Sequence, residues 1–432
     1  MNRRLFTVFA VLLAAGAGAC AESLDSGAGC PRLCPAQGLA VLDTLINPVL
    51  VFDSTFSGYP EIGSEQEILL ATRGDTLESR GVIRFDTLTT LFIPSGDTTV
   101  DTLQSIVHVD SAYLRIIIDT VRARLPDQIR FELFDVEDTL ALDTLSGPVN
   151  AHFSTDRLIG GITVKRAFLP ETLSIPIIGD SLLRKLRTSA RLRVGIRVDG
   201  SGPVWLRIGT LEGSAPAQLR YKGSNDPTIS IFVINPSSGT PNTGTEQGIR
   251  TALADYTILA KNAIPQFGNT MNVGGNPGRR AYLRFNIPSH ILDSSTIIRA
   301  SLYLTQRPIP YGDKRDTMTI HAHVVLASST VRDLRRAANI ISSTGLDVTD
   351  SLLVSPRDSG LKTIDMFALL RAWRAQGQST TILLPPTRSI VLRASPENVL
   401  PFEASFYSSN GPVSVRPAMR ISYIPSITFG VP

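Results

Sequence analysis

The chain carries one message twice. "SRGVIRFDTL" at residues 79–88 returns as "GRRAYLRFNIP" at 278–288. Both stretches alternate with the period of two that belongs to a strand. Ile83 and Phe85 point one way, as do Leu283 and Phe285, while Arg84 and Arg284 face the other side. Three further pairs follow in the same order. "DSAYLRIII" (110–118) answers to "IRASLYLT" (298–305), "DQIRFELFDV" (127–136) to "MTIHAHVVL" (318–326), and "APAQLRYKG" (215–223) to "VRPAMRISYIP" (415–425). One short match would mean little. Four in one order, at separations near 190 to 200 residues, mean an internal duplication, so the fold must be two copies of one module.

Strand signals dominate each copy. Short Val/Ile/Leu/Thr-rich runs such as "LSIPIIG", "ARLRVGIRVD" and "PVWLRIGTL" are separated by Gly, Pro, Asp or Asn. That spacing predicts an all-β chain of two tandem antiparallel β-sandwich domains, jelly-roll-like, each with at most one or two short helices. Helical periodicity is local, in "TVRDLRRAANII" (330–341) and "IDMFALLRAWRAQG" (364–377), where Met366, Leu369, Leu370 and Trp373 share a face ahead of Gly377. "SSGTPNTGTEQG" (237–248) has little to bury and reads as linker. "TISIFVI" (228–234) alternates strongly and suits a strand of either module. The expected boundaries are 41–224 for the first module, 225–248 for the linker and 249–432 for the second.

The N-terminus reads as an export signal. Arg3 and Arg4 precede the apolar run Leu5–Ala19, which is short for a membrane span of about 20 residues and suits a signal peptide over 1–19. The run stops at "AGAC", which resembles the lipobox of bacterial lipoproteins; that likeness implies lipid on Cys20 and attachment to a membrane. Ordinary secretory cleavage after "AGA" is the alternative. Acylation of Cys20 leaves Cys30 and Cys34 of "CPRLCP" as an even pair, a candidate disulfide in an oxidising compartment. A metal there would need further ligands, and that stretch holds no His or third Cys. Residues 20–40 read as a lipidated tether. Ala21 lacks the Asp that resembles an inner-membrane retention signal, which favours the outer membrane. The formal charge of +4 becomes +2 once Arg3 and Arg4 are removed, and no Lys/Arg-rich tract marks a nucleic-acid partner.

The order of motifs resembles the DNRLRE family of extracellular β-sandwich modules, which are related to carbohydrate-binding modules. In the second copy "RRAYLRFN", "IRASLYL", "LLRAWRAQG" and "RPAMRISY" carry the likeness. In the first, "RGVIRFD", "DSAYLRI" and "APAQLRY" carry it, but "DSLLRKLRTSARLRV" and a differently placed Trp205 stand where a "W-x-x-G" helix is expected. The resemblance covers most of 65–222 and 270–424. It implies non-catalytic envelope modules, some engaged in polysaccharide binding.

No G-x-S-x-G, H-E-x-x-H, G-x-x-x-x-G-K or G-x-G-x-x-G occurs, so no enzyme class is expected and no cofactor. His321 and His323 of "HAH" project to one strand face roughly 7 Å apart, half of a metal site; the plainer expectation is a solvated face opposite Ile320, Ala322 and Val324. Asp-Thr-Leu recurs at 43, 75, 86, 101, 138 and 143, where turn-initiating Asp is a simpler account than calcium, although structural calcium stays open. "NVGGNPGRR" (272–280) reads as a turn rather than an anion nest. Of the outward or loop tyrosines Tyr59, Tyr113, Tyr282, Tyr303, Tyr311 and Tyr407, the pair Tyr282 and Tyr303 with Arg284 forms the candidate glycan-stacking face, its alternative being an ordinary half-exposed sheet. The expected role is binding or scaffolding outside the cytoplasm, on polysaccharide or on envelope proteins, with hydrolase a distant third.

Overall fold

Alternation does locally what it predicts. The computed structural model describes residues 41–48, 54–93, 103–137, 146–188, 190–223, 230–237, 253–262, 267–325, 351–377 and 388–426. The segment read as a signal peptide, Cys20, the candidate disulfide Cys30–Cys34 and the helix expected at 330–341 lie outside them. The chain is all-β, built from antiparallel sheets with a few short helices.

In the first module one sheet runs in the order β12 (Val204–Gly209), β3 (Glu67–Arg73), β4 (Leu77–Phe85), β11 (Leu192–Gly200), β8 (Gln128–Asp135), β9 (Leu158–Lys165). A second sheet faces it, ordered β10 (Thr172–Pro176), β7 (Ser111–Ile117), β13 (Gln218–Lys222), β14 (Phe232–Ile234). A two-strand ribbon, β5 (Leu91–Phe92) with β6 (Gln104–Ser105), stands apart. Ile83, Phe85, Ala112, Leu114, Ile116, Phe131, Leu133 and Ile196 fill the space between the sheets, each almost wholly removed from water. Each large side chain so buried stabilises the fold by about 1.5–3 kcal/mol in transfer terms.

The second module repeats the plan. Its larger layer contains β23 (Glu403–Tyr407), β16 (Thr270–Gly274), β17 (Gly278–Arg284), β22 (Ser389–Ser395), β19 (Met318–Val325) and β20 (Ser351–Val354) in that order. Opposite run β21 (Gly360–Asp365), β18 (Ser295–Arg307), β24 (Ala418–Pro425) and β1 (Leu42–Ile46). The layers join where Gln306 and Arg307 of β18 meet Phe406 and Ser405 of β23. Leu283, Phe285, Ala300, Leu302, Leu304, Ile320 and Leu392 form the core. Met366, Leu369, Leu370 and Trp373 are buried in the same core, from the helix Phe367–Gly377 and the residue before it. The helix Gly179–Thr188 occupies the matching place in the first module and sends Leu182 and Leu186 into its core.

Strand ownership departs from the expected boundaries. β1 pairs with β24, and β2 (Ser54–Tyr59) pairs with β17, so two strands assigned to the first module complete the second. β14 pairs with β13, and β15 (Asp255–Asn262) pairs with β4, so strands placed in the linker and the second module complete the first. The two strand pairs are themselves repeats: "LINP" at 45–48 answers to "VINP" at 233–236. The copies therefore trade strand pairs. Alternation specifies which face of a strand is buried, but an edge can pair with any complementary edge, so the exchange is not written in the local pattern.

The exchanged strands also cover outer sheet faces. Leu253, Tyr256 and Ile258 pack with Val82, Phe134 and Phe153, and Tyr59 with Phe56 packs on Tyr282, Val325 and Val391.

Candidate functional site

Where the modules meet, a groove opens. Its first part is a hollow of about 880 Å³, walled by the loop 120–126 and by Trp205 and Arg207 of β12 from the first module, and by Arg315, Asp316, Thr317, Leu400 and Phe402 from the second. It runs on into a hollow of about 610 Å³ that shares Arg122, Arg207, Thr317 and Leu400 and ends at His321, Leu353 and Ser395. β12 places Trp205 here because Val204, Leu206 and Ile208 take the core side, leaving Trp205 and Arg207 on the outer face. The indole is half-buried, supported from below by the cluster of Leu69, Ala71 and Leu77.

The walls are held by ion pairs. Arg207, 2% exposed, reaches Glu67 at 2.8 Å and Asp119 at 2.9 Å. Arg124 crosses between modules to Asp316 at 2.5 Å and to Asp313 at 3.4 Å. Hydrogen bonds from Arg315, first from its backbone N–H, draw Asp313 down to about 2, while burial pushes Asp316 up. Asn398 Nδ2 donates across the same seam to Glu65 Oε1 at 3.0 Å, and Asn276 Nδ2 to Ser79 Oγ at 3.2 Å. Arg122, at the junction of the hollows, makes no side-chain hydrogen bond or ion pair among the described residues.

The face expected from sequence does not form. Tyr282 is 1% exposed: Phe56 meets it edge-on at 5.5 Å, and its hydroxyl donates to the Tyr59 hydroxyl at 2.9 Å. Tyr59, expected on a loop or outward face, is equally buried. Tyr303 is half-buried on β18, which belongs to the layer opposite Tyr282 and Arg284 on β17, so the three residues do not share a surface. Parity told inward from outward but not which layer a strand joins or what covers it.

The histidines also differ from expectation. His321 is half-buried and opens on the second hollow, but His323 is 5% exposed, not solvated. Their ring centroids lie 6.3 Å apart. Burial, then the charge of Arg393 directly across from His321, pushes His323 down to about 4 and lowers His321 as well. Among the described residues no group of three or more His, Cys, Asp or Glu is placed to hold a metal. Glu67, which shares the hollow with His321, is engaged by Arg207. Sequence reading passed over Arg122 and Arg393. Aligning the two copies strand by strand would have singled out Arg393, because it falls on Arg197.

No family model matches the chain, and no curated protein does. Among solved structures, the N-terminal CBM22-1–CBM22-2 tandem domain of Paenibacillus barcinonensis Xyn10C aligns over 89% of this chain and 99% of that one, at 9% identity and a TM-score of 0.16. The infectious bursal disease virus Gt strain structure aligns over 87% of this chain and 76% of that one, at 9% identity and a TM-score of 0.10. Superpositions this loose carry no argument. No helix among the described residues is long and apolar enough to cross a membrane.

Proposed function

We propose that the chain is a non-catalytic binding protein of the cell envelope, tethered by lipid on Cys20, whose two sandwiches hold an extended polysaccharide in the groove between them. The observation that carries this reading is the groove itself. It is open, both modules build it, and Trp205 lines its first part together with Arg122, which makes no side-chain hydrogen bond or ion pair among the described residues. An aromatic face that stacks on a sugar ring and a cation that takes polar groups suit a linear polymer better than an enclosed small molecule. The DNRLRE resemblance and the lipobox point the same way.

The test is a glycan array and an insoluble-polysaccharide pull-down with the full-length chain in detergent, beside Trp205→Ala and Arg122→Ala. Polymer binding that drops at least tenfold in both variants supports the groove. Binding unchanged in both moves the site elsewhere. Absence of binding to every polymer favours a second reading, a structural lipoprotein that joins envelope proteins. One observation speaks for that second reading: Leu353 on β20 and Leu361 on β21 are 65% and 63% exposed on edge strands of the second module.

A further inference from the structure

The duplication supplies an internal reference for one place on the second module. Arg197 on β11 lies across from Glu132 on β8, and Arg393 on β22 lies across from His321 on β19. β11 and β22 hold the same position in their layers, as do β8 and β19. His321 therefore stands where the first module has Glu132, and His323, two residues on, stands where it has Phe134. In the first module the arginine is satisfied. Its Nε and Nη2 donate to Glu132 Oε2 at 2.8 and 2.5 Å, and its guanidinium lies 4.9 Å from the centre of the Phe134 ring.

In the second module the acid is missing. Arg393 makes no ion pair or hydrogen bond among the described residues, and its Nε is buried without a partner. So are Nδ1 of His321, Nε2 of His323 and Nη1 of Arg280, whose Nε and Nη2 hold Glu397 at 2.6 Å each. His323 and Arg280 are 5% and 4% exposed. Two buried guanidinium nitrogens, which can only donate, and two buried imidazole nitrogens gather on adjacent strands without a hydrogen-bond partner, an arrangement that folding disfavours unless something supplies an acceptor. The first module shows what fits: a carboxylate.

We propose that Arg393, His321 and His323, backed by Arg280, form a seat for an oxyanion group of the ligand in the groove, a carboxylate or a sulfate or phosphate ester, whose oxygens replace those of Glu132. The inference rests on the groove reading and deepens it: the polymer is acidic. His321 is the entrance, since it lines the 610 Å³ hollow that Arg122 also lines. A divalent cation, which two imidazoles alone would suit, meets two guanidinium groups here instead of further ligands.

The test follows thermal unfolding and calorimetric titration of the full-length chain at constant ionic strength. The probes are inorganic phosphate, inorganic sulfate, polygalacturonate, a neutral β-glucan and zinc. The variants are Arg393→Gln, His321→Glu and Trp205→Ala. Wild type should melt higher with an oxyanion and bind polygalacturonate at least tenfold tighter than the neutral glucan. Arg393→Gln should lose both effects. His321→Glu should melt higher than wild type without any added anion, because it restores the pair of the first module, and should gain nothing further from phosphate or polygalacturonate; a loss of binding in a stabilised variant cannot be unfolding.

Equal oxyanion effects in wild type, Arg393→Gln and His321→Glu overturn the proposal, as does stabilisation by zinc but not by any oxyanion. A response to inorganic ions with no polymer bound keeps the seat, makes its source a free ion and removes the groove reading. Polymer bound through Trp205 with equal affinity in wild type and Arg393→Gln keeps the groove and removes the seat.

Discussion

Glu65 lies at the seam between the modules, 2% exposed, with Oε2 accepting from the Gly63 N–H and Oε1 from Asn398. Burial pushes its carboxyl up to about 7 despite those donors. Asp255, on the exchanged strand β15, is equally buried; burial and the nearby Glu212 carry it to about 7 as well. Both acids hold their protons more tightly folded than unfolded. The stability this confers is complete below about pH 4, falls as pH rises through about 7 and is gone above it. The share of stability that these two acids contribute should therefore be larger at pH 5 than at pH 8, by on the order of 1–3 kcal/mol, while His323, held neutral by burial, works in the opposite direction below about pH 6.5. Thermal melts across that range check it: a Glu65→Gln/Asp255→Asn variant should lose the acids' share, so that wild type and variant differ more at one end of the range than at the other. A second prediction concerns Arg280, over the Tyr59 ring at 3.9 Å and paired in fork geometry with Glu397. Glu397→Ala leaves that buried guanidinium without its partner and should cost about 3–5 kcal/mol in denaturant titration. None of these pairings is legible at residue level from sequence. The pattern says that Arg280 and Tyr282 face away from the sandwich core, but only the arrival of Tyr59 from more than 200 residues earlier turns that outer face into an interior.

At the scale of elements, sequence reading did best where the period is short and the partner lies in the same copy. The core residues of β4, β7, β17 and β18, and the buried face of the helix Phe367–Gly377, follow from alternation and helical spacing alone. β2 shows the limit. Only Phe56 and Tyr59 of its six residues carry large rings, and it is held by their packing, by backbone pairing to β17 and by a close approach at Gly278, where a Cβ would stand 1.9 Å from the Tyr59 carbonyl oxygen. "NVGGNPGRR" is a turn, as read, with Gly274 and Gly275 at φ of +89° and +85°, but its last glycine serves the seating of a strand invisible in the motif. Gly278→Ala should push β2 off its register at a cost on the order of 2–4 kcal/mol. Hydrogen exchange would read this as lost protection at 54–59, with the first module's amides unchanged.

Considered whole, the chain closes on itself: Leu42 lies across from Tyr423, so its first and last described strands are neighbours. Cutting within 224–229 and joining the end of β24 to β1 through a short flexible linker should give a chain that folds with the same circular dichroism and a similar melting temperature, because each strand pair keeps its neighbour. A permuted chain that aggregates or loses cooperative unfolding would contradict this closure. The duplication itself was plain from the sequence. Which copy each strand pair serves was not, because the exchange is settled by edges far apart in the chain.

The traded strand pairs bear on ancestry. A gene encoding one copy, headed by its own pair as β1 and β2 head the first body here, would yield a protein that offers two strands outward and lacks two. Two such products satisfy each other across a two-fold axis, and head-to-tail fusion of their genes makes the same contacts within one polypeptide. The present chain reads as that fusion. The drift of Glu132 and Phe134 in one half against His321 and His323 in the other then records what fusion allows and a homodimer forbids: two halves free to diverge.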